Sequence, residues 1–216
     1  MKVEQDLQEM FARETEEVRT SLIPLRELGQ EKMRRMLARY AAAIEPNFIP
    51  WVAAGAISAR SIQGRYAASE NLEEELRGDH QGMLIDFVAQ VAARPTIEDC
   101  KEVYLHVQNM RNTFREMNGL TNITLLAYLE NTSAAFIPYL ADAVRSLGGK
   151  DFTYTDAHGV ADAQHAQQFL WALGYEREHG YDEAFSREVG VTRVIRHANA
   201  MGQGFLRGVL GLRVDK

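Results

Sequence analysis

Almost every stretch of this 216-residue chain spaces its apolar residues at the three-to-four interval of an α-helix. None sustains the strict alternation that a half-buried strand requires. That property restricts the fold class to all-α. Helices are expected over about residues 3–21, over 25–44 after Pro24, from soon after Pro50 to Gly78, and on from His80 to Pro95. The pair Pro46 and Pro50 breaks the second from the third, because proline removes a donor and clashes with the preceding turn. Thr96 with Asp99 forms a capping signal at the start of a helix that closes at Gly119. A long apolar helix follows over 121–149, then one over 155–180 with Asp156 as a cap, then a last one within 185–210. No repeat, low-complexity run or linker divides the chain, so residues 1–216 read as a single domain, a bundle of about seven helices.

Composition excludes several classes of function. A hydrophobic share of 46% with five prolines describes a globular chain able to bury a full core without staples. The formal charge of −6 leaves no basic excess to displace counterions from phosphates, so nucleic acid is set aside as a partner. Cys100 is the single cysteine and cannot form an internal bridge. The first eighteen residues are charged throughout, with no apolar secretory core, and no run of eighteen apolar residues exists to span a bilayer. A reducing, cytoplasmic setting without membrane partners is the expectation.

Glu130 stands inside "ITLLAYLENTSAAFIPYL", with Ile123, Leu126, Ala127, Ser133, Ala134 and Ile137 as its helical neighbours. Its carboxylate therefore points along an apolar stripe and needs a partner. One solution is a guanidinium, with Arg65 and Arg196 as candidates; another is a metal ion.

"HGVADAQH" supplies His158, Asp162 and His165 at offsets of zero, four and seven. At about 100° per residue these fall near 0°, 40° and −20°, on one narrow arc of a helix. Ala157, Phe169, Leu170 and Leu173 make the adjoining surface apolar, so the polar arc borders the interior. A third group lies in "ENLEEELRGDH". His80 follows Glu73 by seven residues, two turns along the same stripe if the helix stays regular through Gly78. Glu74 takes the place of Glu73 if the glycine bends the chain, and Glu70, Glu74 and Glu75 otherwise read as solvated. His106, His179 and His197 have no such companions and read as core or surface residues.

Three carboxylates and three imidazoles, brought in by separate helices, are too many for one tetrahedral zinc and suit two metals. Nitrogen and oxygen ligation without thiolate points to iron, or manganese, with open positions for dioxygen or substrate. Glu130, alone on its helix, is the natural bridge between two ions.

The order E-x6-H at Glu73 and His80, a lone Glu130, then H-x3-D-x2-H at His158, Asp162 and His165 resembles the haem-oxygenase-like diiron oxidases. These share a seven-helix fold with haem oxygenase, the TenA thiaminases and the PqqC-type oxidases. The likeness spans about residues 30–210, includes the "NL" at 71–72, and rests most on the last motif. It implies that the six residues hold two Fe(II) ions, and that dioxygen is used to oxidise a small carboxylic-acid or amino-acid-like metabolite. One branch, involved in p-aminobenzoate formation, consumes its own side chains, which draws attention to Tyr128 and Tyr154 near the implied ligands. Arg196 and Arg207 are candidates for holding a substrate carboxylate. Haem oxygenase itself is disfavoured, because no histidine precedes His80 to serve as its proximal ligand. The alternatives are a metal-free enzyme of the TenA or PqqC kind, the TenA-like one needing Cys100 as its nucleophile, and a non-enzymatic helical binding protein. A homodimer is the default assembly.

Overall fold

The computed structural model describes residues 2–179 and 190–213. Those residues form nine α-helices and no strand: α1 Lys2–Ser21, α2 Gln30–Ile44, α3 Phe48–Ser58, α4 Ile62–Gly78, α5 His80–Ala89, α6 Ile97–Arg115, α7 Gly119–Ser146, α8 Thr153–His179 and α9 Val191–Leu210. The part of the expected last helix that precedes Gly190 lies outside the described residues. The all-α expectation holds. The helix count exceeds seven because the stretch from Pro46 to Pro95 divides more often than its periodicity suggests.

Each division has a local cause. Asn47 and the prolines separate α2 from α3, and Pro50 sits in the first turn of α3, where its missing N–H leaves no helical bond unmade. Between α3 and α4 the chain turns around a carboxylate from another helix. Glu176 of α8, wholly buried, accepts hydrogen bonds from the backbone N–H groups of Arg60 (3.1 Å) and Ser61 (2.5 Å) and from the Ser61 hydroxyl (2.5 Å). Ser61 Oγ in turn accepts the N–H of Gly64 at 2.9 Å and caps α4. The negative charge thus meets the positive end of a helix and the orphan donors there. Gly64 leaves the space for it, since a Cβ there would lie 2.6 Å from Glu176 Oε1. Between α4 and α5, Asp79 adopts a left-handed conformation (φ 49°, ψ 42°) and caps both helices.

The remaining starts follow the sequence signals. Thr96 and Asp99 make the reciprocal capping box at α6. Asn118 accepts the N–H of Thr121 at 2.8 Å and opens α7.

Helix α7 is the axis of the bundle, buried on nearly every side for most of its length. It packs along α8, with α1, α9 and α3 completing its surroundings. Helix α4 lies over α3 and α8, while α2 packs on α6 and α9, and α5 on α2 and α8. The apolar core includes Phe11, Trp51, Leu126, Phe169 and Phe205, with Trp51 stacked on Phe114 at 5.6 Å between ring centroids. No helix among the described residues is long and apolar enough to cross a membrane.

Removing the Glu176 carboxylate leaves several buried donors without an acceptor. Glu176→Ala is therefore expected to lower the unfolding free energy by about 3 kcal/mol, and Glu176→Gln by less, since one oxygen still accepts. Urea denaturation of the metal-free chain measures both.

Candidate metal centre

Helix α8 carries one continuous inward stripe: Tyr154, His158, Asp162, His165, Phe169, Leu173 and Glu176, all buried. These positions recur at three and four residues, so one face runs from imidazoles and a carboxylate, through aromatic and aliphatic packing, to the Glu176 cap. Glu130 projects from the middle of α7 with 4% of its surface exposed. Helices α4 and α5 close the other side.

The buried stripe of α4 passes through Gly64, Ala67, Ala68, Asn71 and Glu75. Glu73 lies outside it. That residue is exposed and pairs with Arg77 on the solvent side, so the expected Glu73 is replaced at the centre by Glu75. The reason is the left-handed Asp79. With α4 ended at Gly78, a spacing of seven no longer places two side chains on one face, and His80, the first residue of α5, turns back over Gly78 to meet Glu75 instead. His80 Nδ1 lies 2.8 Å from Glu75 Oε1. A Cβ at Gly78 would lie 2.5 Å from His80 Nε2, so only glycine leaves room for the imidazole. Glu74 is half-buried, with its Oε2 2.9 Å from His165 Nε2.

Two groups of potential ligands result. Glu75, His80 and His158 form one; Glu130, Asp162 and His165 form the other; within each, one donor atom per residue lies within 4.8 Å of the others. Asp162 touches both groups, because its Oδ1 lies 2.9 Å from His158 Nδ1. The rings of His80 and His158 are 4.8 Å apart. His158 Nε2 is buried and has no hydrogen-bond partner. Glu130 accepts a hydrogen bond from Asn71 Nδ2 at 2.8 Å and faces His165 Nδ1 at 3.8 Å. Neither Arg65 nor Arg196 pairs with it: Arg65 donates to the Ala59 carbonyl at 2.9 Å, and Arg196 lines a groove between α1 and α9.

Residues 35–186, well over half of the chain, match the protein family described as iron-containing redox enzymes. The chain belongs to that family. No curated protein and no solved structure matches it significantly. Membership makes this chain an iron-containing oxidoreductase with a haem-oxygenase-like helical fold, and the described residues fit the metal. Bonds of about 2.1 Å to nitrogen and oxygen place neighbouring ligands of an octahedron about 3 Å apart. The 2.8 Å contact between His80 Nδ1 and Glu75 Oε1, within one group, has that span. The unpartnered His158 Nε2 is a lone pair or a donor without a counterpart, which burial makes costly and a cation resolves. The donor set is imidazole and carboxylate without thiolate, as borderline divalent iron favours.

Without a cation the site is electrostatically unfavourable. Burial, then the Asp162 charge, push the Glu130 carboxyl well above its ordinary value, and the Asn71 hydrogen bond only partly opposes them. The Glu75 hydrogen bond raises the His80 imidazole above its ordinary value against the opposing effect of burial. Tyr40 and Tyr154 share a hydrogen bond of 2.8 Å between hydroxyls, and burial raises both phenols so that they stay protonated. The Tyr154 ring lies 4.5 Å from that of His158.

Other expected participants fall elsewhere. Tyr128, two residues from Glu130, points to the opposite side of α7 and packs on Gly202 of α9. Arg207 lies on that side too, close enough to Tyr128 to affect its phenol. Cys100 is exposed on α6, away from the residues that line the centre. Asn71 and Glu75 enter the site without a ligand motif to mark them, Glu75 buried against the expectation of a solvated face, and Tyr40 joins them. The signal for the first two is the spacing Gly64, Ala67, Ala68, Asn71, Glu75, which marks an inward face by small residues rather than by large apolar ones.

The raised groups set the pH response of the metal-free chain. Glu130 becomes a cost as pH rises from its unfolded value, a cost complete above its folded one. His80 contributes stability that is lost as pH rises through its own raised value. Both act in one direction, so metal-free protein is expected to be more stable near pH 6 than near pH 8. Glu130→Gln should raise its melting temperature at pH 8 and weaken that slope, as calorimetry at the two pH values would show. A lower melting temperature for Glu130→Gln would contradict the argument.

Proposed function

We propose that this protein is a non-haem diiron oxidase or oxygenase that uses dioxygen to oxidise a small carboxylic-acid or amino-acid-like metabolite. Glu75, His80 and His158 would hold one ion and Glu130, Asp162 and His165 the other. The observation that carries the reading is the convergence of two buried three-residue groups from α4, α5, α7 and α8, joined by Asp162, around an imidazole nitrogen with no other partner. Two ferrous ions bound there would supply the electrons that reduce dioxygen next to the substrate.

The protein's own groups orient and shield. Asn71 fixes Glu130, and Glu74 fixes the ring of His165, as carboxylates outside the ligand set commonly do. Tyr40 and Tyr154, satisfied by each other, wall the His158 side without offering a competing charge. A cavity of about 40 Å³ opens beside Glu130, His158 and Asp162, with Ile44, Phe48, Leu129 and Phe136 among its lining residues. These apolar side chains give a small molecule such as dioxygen a weakly hydrated place beside the acids. The TenA-like alternative loses its nucleophile, since Cys100 is exposed and does not line the centre.

Anaerobic loading with Fe(II) should give two irons per chain, followed by an absorbance transient when oxygen is admitted. Glu75→Ala and Asp162→Ala should each bind one iron or none, whereas Glu73→Ala should bind two. Gly78→Ala should also lose iron, because the added methyl displaces the His80 ring. Full loading of Glu75→Ala with loss in Glu73→Ala would overturn the ligand assignment.

A further inference from the structure

A groove of about 660 Å³ runs between α1, α7 and α8, and its floor is the candidate centre itself: Glu130, His158 and Asp162 line it. We propose that the substrate lies in this groove, and that it is a slim, largely apolar molecule carrying a hydrogen-bond donor that rests on the backbone carbonyl of Ala134. The inference builds on the diiron reading, because it takes that floor as the reacting end.

Three observations carry it. First, His158 is more than nine-tenths buried, lines the groove, and has an Nε2 without a protein partner. The groove therefore leads to the side chains proposed to hold iron, where a reacting group has to arrive. Second, its walls are made of small or slender groups. Gly159, Ala163 and Ala166 of α8 face Ala134, Ile137 and Pro138 of α7. Ala134, Pro138 and Ala163 are exposed there, although α7 is buried elsewhere along most of its length. Third, Pro138 has no N–H to donate, so the Ala134 carbonyl one turn earlier lacks its helical bond and remains an acceptor at the groove wall. The neighbouring Asn131 carbonyl is already taken by Thr15 Oγ1 of α1 at 3.1 Å. Arg19, the one guanidinium in the lining, is exposed and turned to Glu16, so the Ala134 position itself offers an acceptor and not a cation. An ammonium or hydroxyl group on an apolar body matches these surroundings and a carboxylate at the Ala134 position does not, which narrows the substrate proposed above to the amino-acid-like class, bound with its ammonium at Ala134.

The test uses the full chain, metal-free and loaded anaerobically with Fe(II), and two probes of equal length, hexylamine and hexanoate, with affinities from ligand-observed NMR titration. Hexylamine is expected to bind at least tenfold more tightly than hexanoate to both forms. Ala163→Phe, at an exposed position that tolerates the change, should abolish hexylamine binding, while Ala163→Ser should retain it. Pro138→Ala restores an N–H to the Ala134 carbonyl and should reduce hexylamine affinity about tenfold, leaving the iron content as it is in the unaltered chain. Undiminished hexylamine binding by Ala163→Phe would overturn the groove assignment. Equal binding of the two probes, with no effect of Pro138→Ala, would overturn the donor assignment. An iron content other than two per chain would instead count against the diiron reading, since the probe titrations on metal-free protein do not depend on it.

Discussion

Three carboxylates inside a helical bundle, with no guanidinium or ammonium among the described residues to neutralise them, are the constraint to which the rest of this molecule answers. Glu75, Glu130 and Asp162 are each more than nine-tenths buried, and their nearest charged or chargeable neighbours are imidazoles and one another. An arrangement of this kind is unfavourable for a bare polypeptide and favourable around divalent cations. The helices are placed to create it. Helix α7 presents Glu130 from the axis of the bundle, α8 brings Asp162 and two histidines alongside, and the broken pair α4 and α5 covers the open side.

Much of this was legible from residue spacing. The three-to-four interval of apolar residues settles an all-α fold, and a glutamate in the apolar stripe of the longest helix announces a buried polar site. His158, Asp162 and His165 lie on one arc because helix geometry requires it wherever α8 is regular, and it is regular there. Glu73 lies apart from the two groups for the complementary reason. Its assignment assumed a regular helix through Gly78, whereas Asp79 turns left-handed and ends α4. Side-chain phase does not survive such a break, and an aspartate gives weaker notice of it than glycine or proline. Tyr128 shows the same limit in another form. Closeness in sequence to Glu130 placed it on the wrong side of α7, since two residues along a helix amount to a turn of about 200°.

Glu130 and Glu176 are both buried glutamates, and the contrast between them shows what burial alone does and does not signify. Glu176 accepts three hydrogen bonds from the start of α4 and is satisfied by protein groups. Glu130 accepts one from Asn71 and otherwise faces acids and an imidazole. The first is architecture and the second is a charge that protein donors only partly satisfy, although both look alike in a burial profile. Counting donors against acceptors separates them.

The two glutamates also act at opposite ends of the ligand-bearing arrangement, and this bears on how much of the scaffold depends on its inorganic partner. Helix α8 is fastened near its C-terminus by a carboxylate whose hold on α4 owes nothing to iron. The joint between α8 and the start of α4 therefore keeps its partners whether or not iron is bound. Loss of the metal would then trouble the acid-lined half of α8 and leave the fastening at its far end intact.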